Sequence, residues 1–514
     1  MPLHPYPPKV RFDGGDLDCG NGLLLAIRQQ MDRLESGELL EILSTEISVP
    51  QDLPAWCRLT GNELVHHVQT GRQHAFLVSK GKFVAPPLGA TANAAPAGTT
   101  RRAVMPAPAA ARPVVRPSAA PPPAPAPAIA PLAVLGVGSW PRPAWLLDAL
   151  QRRLEGKLDE ATFESFADDA VRLCVDAQRR AGVDVVCDGE QRRDSYASFV
   201  ASRLDNCQLV PIGDLVAYVD HPEEFAAELQ ALDVPPTVRH PAVFGPLSRP
   251  RPIAVHEAHF VRTLCDLPIK VALPGPYLLT RTMWLECVSD RAYRDREALA
   301  LDVVRVLREE IAELLAAGVA LVQLDEPVLS EVVFGRSREN RSFMCGALGK
   351  RLETNAELSF AGDLLDAVAA GFPRERLAMH VCRGNWTPDE SVALAGDYGP
   401  LLPLLSRAPV GTLFLELCTP RAGDERVLAS LPRDKRVGVG VVNQKHAEVE
   451  SVAAICAKAE KLIALLGAER VLLNPDCGFA TFATNPISSA AVAQAKLAAM
   501  AQAAQVLRAR HGLA

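Results

Sequence analysis

Aromatic residues make up only 5% of this 514-residue chain. No apolar run reaches the roughly 18 residues that a membrane-spanning helix needs. The opening MPLHPYPPK has no apolar signal core, so a cytoplasmic protein with no membrane partner is expected. Basic charge is scarce too: 54 Lys and Arg against 60 Asp and Glu leave a net charge of −6. That balance excludes a chain that coats nucleic acid through its phosphates. Twelve cysteines are present in no framework spacing, so disulfides are not expected and most should be small buried apolar residues.

What the chain does have is apolar content, 48%, and proline, 42 residues. The apolar fraction rules out wholesale disorder. At about 100–200 residues per domain the length implies more than one domain, although a single α/β barrel can absorb 250 residues or more. Proline divides the chain. Residues 83–131 hold 13 prolines, 17 alanines, four arginines (Arg101, Arg102, Arg112, Arg116) and no acid. Proline fixes φ and removes a backbone donor, so this stretch is expected to be an extended, semi-rigid spacer. It separates a small domain, 9–82 with net charge −2, from a large one, 132–514 with net charge −8; the spacer itself carries +4.

The large domain repeats one unit: a helix, a glycine stop, then a short β-branched strand ending in reactive side chains. Residues 295–317 have apolar positions at helical spacing, Gly318 can take the left-handed cap, and VALVQL follows as a buried strand ending in Asp325-Glu326-Pro327. The pattern recurs three times. Helix 162–181 stops at Gly182 and VDVVCD leads to Glu190; helix 361–370 stops at Gly371 and LAMHVC follows; helix 450–466 stops at Gly467 and RVLLNPDC ends at Cys477. Alternating helices and strands imply a parallel sheet with right-handed crossovers. The expected fold is α/β, a (β/α)8 barrel, with a doubly wound sheet as the alternative. In a barrel the active site forms at the strand C-terminal ends. Glu190, Asp325, His380, Cys382, Glu416 and Cys477 all fall there.

His380 and Cys382 are two residues apart on a strand and so share a face. With Glu416 and Cys477 they offer one nitrogen, two sulfurs and one oxygen, a donor set that suits tetrahedral zinc. Cys418 competes with Glu416 on the same strand face. Zinc lowers the pKa of a thiol and so favours the nucleophilic thiolate, which points to alkylation of a thiol substrate.

These motifs resemble the catalytic half of the cobalamin-independent methionine synthase family. The resemblance rests on GSWPRP (138–143), DGEQRRD (188–194), ALPGPYLL (272–279), LVQLDEPVL (321–329), MHVCRGNW (379–386), FLEL (414–417), GVGVVNQK (438–445) and LLNPDCGF (472–479). It implies a (β/α)8 barrel and a zinc-dependent methyltransferase in methionine biosynthesis. It implies His380, Cys382, Glu416 and Cys477 as zinc ligands, and Ser139, Glu190 and Asp325 around the amino-acid part of homocysteine. Trp284 lies near the place of a pterin-stacking tryptophan. Lys445 stands where folate-dependent members carry a histidine that helps protonate the departing folate nitrogen, and the adjacent His446 would face the other way on a strand. Full-length members carry a further N-terminal barrel with no counterpart here. HVCRGNW is similar to the short, single-barrel branch, which includes enzymes using corrinoid-bound methyl groups and relatives that add a thiol to an epoxide; the resemblance thus implies a folate or a corrinoid as methyl donor, with a sulfur-relay or corrinoid protein as partner.

The small domain reads as a two-layer α/β sandwich: a short strand, helix 22–34, strand 38–44, helix 50–60, and strands 63–69 and 73–79 joined by TGRQ. It resembles the TusA-like sulfur-carrier family through DLDC, GELLEIL and DLPAWCRLTGNELV. In that family a cysteine at the start of the first helix carries sulfur, and Cys19 holds that place, although Cys19-Gly20-Asn21-Gly22 replaces the family's Cys-Pro-x-Pro. Cys57 should be core. Three functions follow: methyl transfer to homocysteine or a similar thiol; another zinc-thiolate alkyl transfer or methyl-thiol demethylation, with Cys19 relaying sulfur; or a metal-stabilised scaffold that recruits partners.

Overall fold

The computed structural model describes residues 3–15, 23, 27, 30–31, 34–46, 49–85, 121–212, 230, 238–284, 289, 292–335, 353–385, 387–483 and 486–513. It divides into two compact units, Met1–Ala120 and Pro121–Ala514.

In the first unit four strands form one sheet: β1 (Val10–Asp13), β2 (Leu39–Ser44), β3 (Glu63–Thr70) and β4 (Gln73–Ser79), in the order β1-β2-β4-β3. β1 and β2 are parallel, and β4 runs antiparallel to both β2 and β3. The helix Val49–Leu59 accompanies the sheet. Leu23, Ile27, Gln30 and Met31 are helical, and the other residues of the expected 22–34 helix up to 33 lie outside the described ones. Leu40, Ile42, Trp56, Phe76 and Val78 are fully buried. Side chains of this size contribute about 1.5–3 kcal/mol each when buried, enough to hold a small sheet against its helices. Cys57 is buried with them, and burial pushes its thiol up to about 12.

The second unit carries β5 (Asp205–Pro211) and β6 (Arg239–Ser248), an antiparallel pair, and six parallel strands: β7 (Lys270–Pro274), β8 (Leu321–Asp325), β9 (Leu377–Val381), β10 (Thr412–Leu415), β11 (Arg436–Val442) and β12 (Val471–Pro475). The six pair strictly in chain order. A doubly wound sheet reverses its order at a switch point. No reversal occurs among the described strands, so that alternative is set aside. Two short segments continue the sheet beyond its edges: Val134 bridges Leu473 of β12, Leu135 bridges Val185, and Val186 bridges Ile269 beside β7, all parallel.

Local chemistry accounts for the helices between the strands. Glu160–Ala181 starts where the Asp159 side chain accepts from Thr162 N and ends at Gly182, φ 80°. Arg296–Ala316 starts where Asp295 accepts from Ala298 N, and Gly318 follows at φ 76°. Side-chain acceptors satisfy helix N–H groups and glycine tolerates the left-handed turn, so start and stop are written locally. Thr354–Ala369 begins seven residues before the expected 361, because its first turn carries Glu357, which is buried for reasons other than an apolar stripe. Buried Glu357 accepts from Tyr277 Oη at 2.6 Å and Arg296 Nη2 at 3.1 Å.

Residues 121–131, the last part of the Pro/Ala-rich stretch, belong to this unit. Ala124 N donates to Leu315 O, Arg376 Nη1 donates to Ala124 O, and Arg436 Nη2 donates to Ala130 O. Among the described residues no helix is long and apolar enough to cross a membrane.

Candidate metal centre and substrate site

The C-terminal ends of the parallel strands bring the reactive side chains together. Asp325 ends β8, His380 is the penultimate residue of β9, Cys382 follows β9, Glu416 follows β10 and Cys477 follows β12 by two residues. His380, Glu416 and Cys477 each present a donor atom within 4.8 Å of the others, a group that can hold a metal ion. Cys382 Sγ lies 3.6 Å from Cys477 Sγ. His380 Nε2 is buried and has no hydrogen-bond partner.

The surroundings hold each donor. Glu416 Oε1 accepts from Arg383 N and Oε2 from Arg421 Nη2, both at 2.7 Å. Arg421 also pairs with Glu390 and stands 3.7 Å from Asp476 Oδ2. Burial and the Cys382 charge push the Glu416 carboxyl up. Contact between the two sulfurs lets one thiol ionise readily and makes the other resist. Burial works to lower the His380 imidazole, but the Asp325 hydrogen bond and charge outweigh it, so it is raised.

Beside the donors lies a second group. Glu190 is buried, its Oε2 has no partner, and its backbone sits at φ 57°. A non-glycine residue in that region carries about 1 kcal/mol or more of strain. Arg142 Nη2 donates to Glu190 O at 2.6 Å, and Glu190 N donates to Asp188 Oδ1 at 3.0 Å, which hold the turn. Burial pushes the Glu190 carboxyl up to about 7, against the nearby Arg193 guanidinium. Arg193 itself is fixed by a buried two-bond pair with Glu257, at 3.2 and 2.6 Å. Ser139 Oγ accepts from Ala480 N at 3.3 Å, next to Gly478, where a methyl group would overlap it. A methyl group on Gly138 would overlap Glu190 Oε1, so both glycines make room for site atoms.

Lys445 is buried three residues beyond β11, its Nζ 3.5 Å from Asp389 O. Burial and the Arg421 charge lower its ammonium pKa. His446 is not on a strand: it lies in the following turn, exposed, with Nε2 3.8 Å from Glu390. Cys418 does not join the donor group. Its N–H and that of Leu417 donate to Asp476 Oδ1, and burial pushes its thiol up. Glu326 leaves the rim as well: its carboxylate accepts from Tyr277 N and Leu278 N, capping the helix Pro276–Met283. Trp284, at the end of that helix, packs into the main apolar core. Cys19 lies outside the described residues.

Sequence reading missed Arg421, Asp476, Lys270 and Gln323. Asp476 sat inside a motif already singled out for Cys477. Gln323 likewise sat inside LVQLDEPVL, while Arg421 and Lys270 carry no local signal: Arg421 stands beside Asp476 and Lys270 reaches Gln323, each far away in the chain.

Residues 132–359 and 399–506 match the family described as cobalamin-independent synthase, catalytic domain. The chain belongs to this family. By that membership it is a methyltransferase, and its N-terminal residues 22–80 match the sulfurtransferase TusA family. Among relatives of the synthase family, the methionine synthase of Sulfolobus acidocaldarius is 26% identical over 343 residues, 66% of this chain and 84% of that protein. The 5-methyltetrahydropteroyltriglutamate–homocysteine methyltransferase of Cronobacter sakazakii is 28% identical over 72% of this chain, which spans 43% of that longer protein. A B12-independent methionine synthase from Shewanella, solved with selenomethionine, shares the fold with a TM-score of 0.57 at 24% identity, covering 74% of this chain and 99% of that one.

Proposed function

We propose that the chain transfers a methyl group to the thiol of homocysteine, giving methionine, with zinc as its metal and a methyl-pteroylglutamate as donor. The observation that carries this reading is the convergence of His380, Glu416 and Cys477 donor atoms within 4.8 Å, with Cys382 Sγ beside Cys477. The names of the relatives support the acceptor and the donor.

The residues fit zinc. They supply one nitrogen, two sulfurs and one oxygen, and the orphaned His380 Nε2 is the buried lone pair such an ion would satisfy. When bound, zinc would stabilise the thiolate of the substrate against its thiol. Glu190 Oε2 and the Asp325 carboxylate would hold the α-ammonium, and the Ser139 hydroxyl would meet the α-carboxylate. Both carboxylates act on the substrate only when ionised. Lys445 would donate a proton to the departing nitrogen of the donor, and its lowered pKa makes it a better acid than a free lysine. The rim is buried, which strengthens these charge contacts.

The large unit reads as a closed (β/α)8 barrel. The bridges Val134–Leu473, Leu135–Val185 and Val186–Ile269 support closure, since they supply the two strands that the six-stranded sheet lacks. The domain reading is 9–82, a spacer from 83, and a barrel over 132–514 against which the last spacer residues, 121–131, are held.

Purified protein loaded with zinc and given homocysteine tests the function. Methionine formed from methyl-tetrahydropteroylglutamate is the expected result. Methionine formed only from methylcobalamin would overturn the donor, and none from either would overturn the reading.

A further inference from the structure

A row of buried hydrogen bonds crosses three adjacent strands beneath the metal centre. Lys270, the first residue of β7, is fully buried and donates through Nζ to Val137 O and, at 2.6 Å, to Gln323 Oε1. Gln323 Nε2 donates to Asp325 Oδ1 at 2.6 Å. Asp325 Oδ1 lies 3.1 Å from His380 Nδ1. Gln323 and Asp325 are two apart on β8 and so share a face, and Asp325 is the register partner of His380 on β9.

We infer that Lys270 and Gln323 are positioning residues that hold the His380 ring in the one arrangement leaving its Nε2 lone pair free for the metal. The lysine fixes the direction of the first bonds in the row, and the carboxylate fixes the last. An ammonium has three donors and no acceptor, so it takes the oxygen of the Gln323 amide. That turns the amide nitrogen toward Asp325. The carboxylate only accepts, so His380 Nδ1 must carry the proton. In the neutral ring that a metal requires, Nε2 is then the lone-pair nitrogen, and it is the atom left buried without a partner. A lysine at this depth costs free energy to bury; its Nζ meets Val137 O, Gln323 Oε1 and the Phe414 ring, 5.1 Å away, and the Asp325 and Glu190 charges also favour the ammonium. A neutral side chain at 270 would leave the Gln323 amide free to flip, and its oxygen would then face the Asp325 carboxylate instead of a donor that holds it in place for His380.

This inference rests on the metal reading above, and the test separates the two. Zinc alone is titrated into the full chain against a chelator, for wild type, Gln323→Leu and Gln323→Glu, and each metal-free protein is melted. Gln323→Glu keeps the size of the side chain and an oxygen for Lys270 but removes the donor to Asp325. Both variants are expected to bind zinc more weakly, by up to the roughly 10–100-fold that loss of a histidine's outer partner costs, since Gln323 holds that partner; the metal-free melting midpoint should stay unchanged in Gln323→Glu and fall in Gln323→Leu, which strips the buried Lys270 of an acceptor. Wild-type affinity in Gln323→Glu would overturn the inference. So would a drop in its metal-free midpoint that accounts for the lost affinity, which would make the row structural packing. A wild type that binds no zinc would instead overturn the metal reading itself.

Discussion

The sulfurs of Cys382 and Cys477 stand 3.6 Å apart without a bond between them. Two thiolates each about 2.3 Å from one tetrahedral ion would be about 3.8 Å apart. The two cysteines are 95 residues apart in the chain, on the ends of β9 and β12, yet already sit at the spacing one ion requires. Cys477→Ala should therefore remove zinc, measured as bound metal per chain, and methyl transfer together. Full turnover in a Cys477→Ala protein would sink the zinc reading.

Glu190 links function to stability with a definite sign. Its carboxyl is pushed up from 4.5 to about 7, so the fold favours the protonated form. The fold is then penalised as pH rises from about 4.5 to about 7, and the penalty is complete above that. Glu190→Gln should be more stable than wild type by about 3 kcal/mol at pH 8 and no more stable at pH 4, read by denaturant melts. The same change should raise the KM for homocysteine. In wild type that KM should fall as pH rises through about 7, because only the carboxylate can hold an ammonium. A flat KM profile across that window would remove Glu190 from the substrate site.

Lys445→Met separates proton donation from methyl capture. Transfer from a methyl-pteroylglutamate should fall about 10²–10⁴-fold, the usual contribution of one positioned acid. Alkylation of homocysteine by methyl iodide, whose leaving group needs no proton, should be unchanged. Equal losses with both donors would show that Lys445 acts on something other than the leaving group.

Gly138→Ala tests the substrate side without touching a metal donor. The new methyl group would overlap Glu190 Oε1 and displace the carboxylate. Zinc content should stay at the wild-type level while homocysteine affinity, read by calorimetry, drops at least 10-fold. Unchanged affinity would mean that the Glu190 carboxylate can shift without loss.

Much of this architecture is legible locally. Asp159 and Asp295 announce helix starts, Gly182 and Gly318 announce stops, and runs such as VALVQL announce buried strands. Capping and side-chain periodicity act within a few residues, so the chain order of helices and strands can be read directly. The donors could be placed at strand ends for the same reason. Glu326 and Cys418 show where that reading fails. Each neighbours a rim residue, but Glu326 turns to cap a helix and the Cys418 backbone hangs on Asp476.

The sequence by itself determined the elements, the residues at their ends and the donor types on offer. Those depend on local hydrogen bonding and periodicity, and on chemistry that each side chain carries with it. Only the tertiary structure decided which atoms meet. Asp325 faces His380 because β8 and β9 pair in one register, and a slip of one residue would turn both side chains away. Arg421 stands beside Asp476, and Lys270 reaches Gln323, because segments distant in the chain lie side by side in the fold. Register and burial arise from long-range packing, and no stretch of sequence contains them.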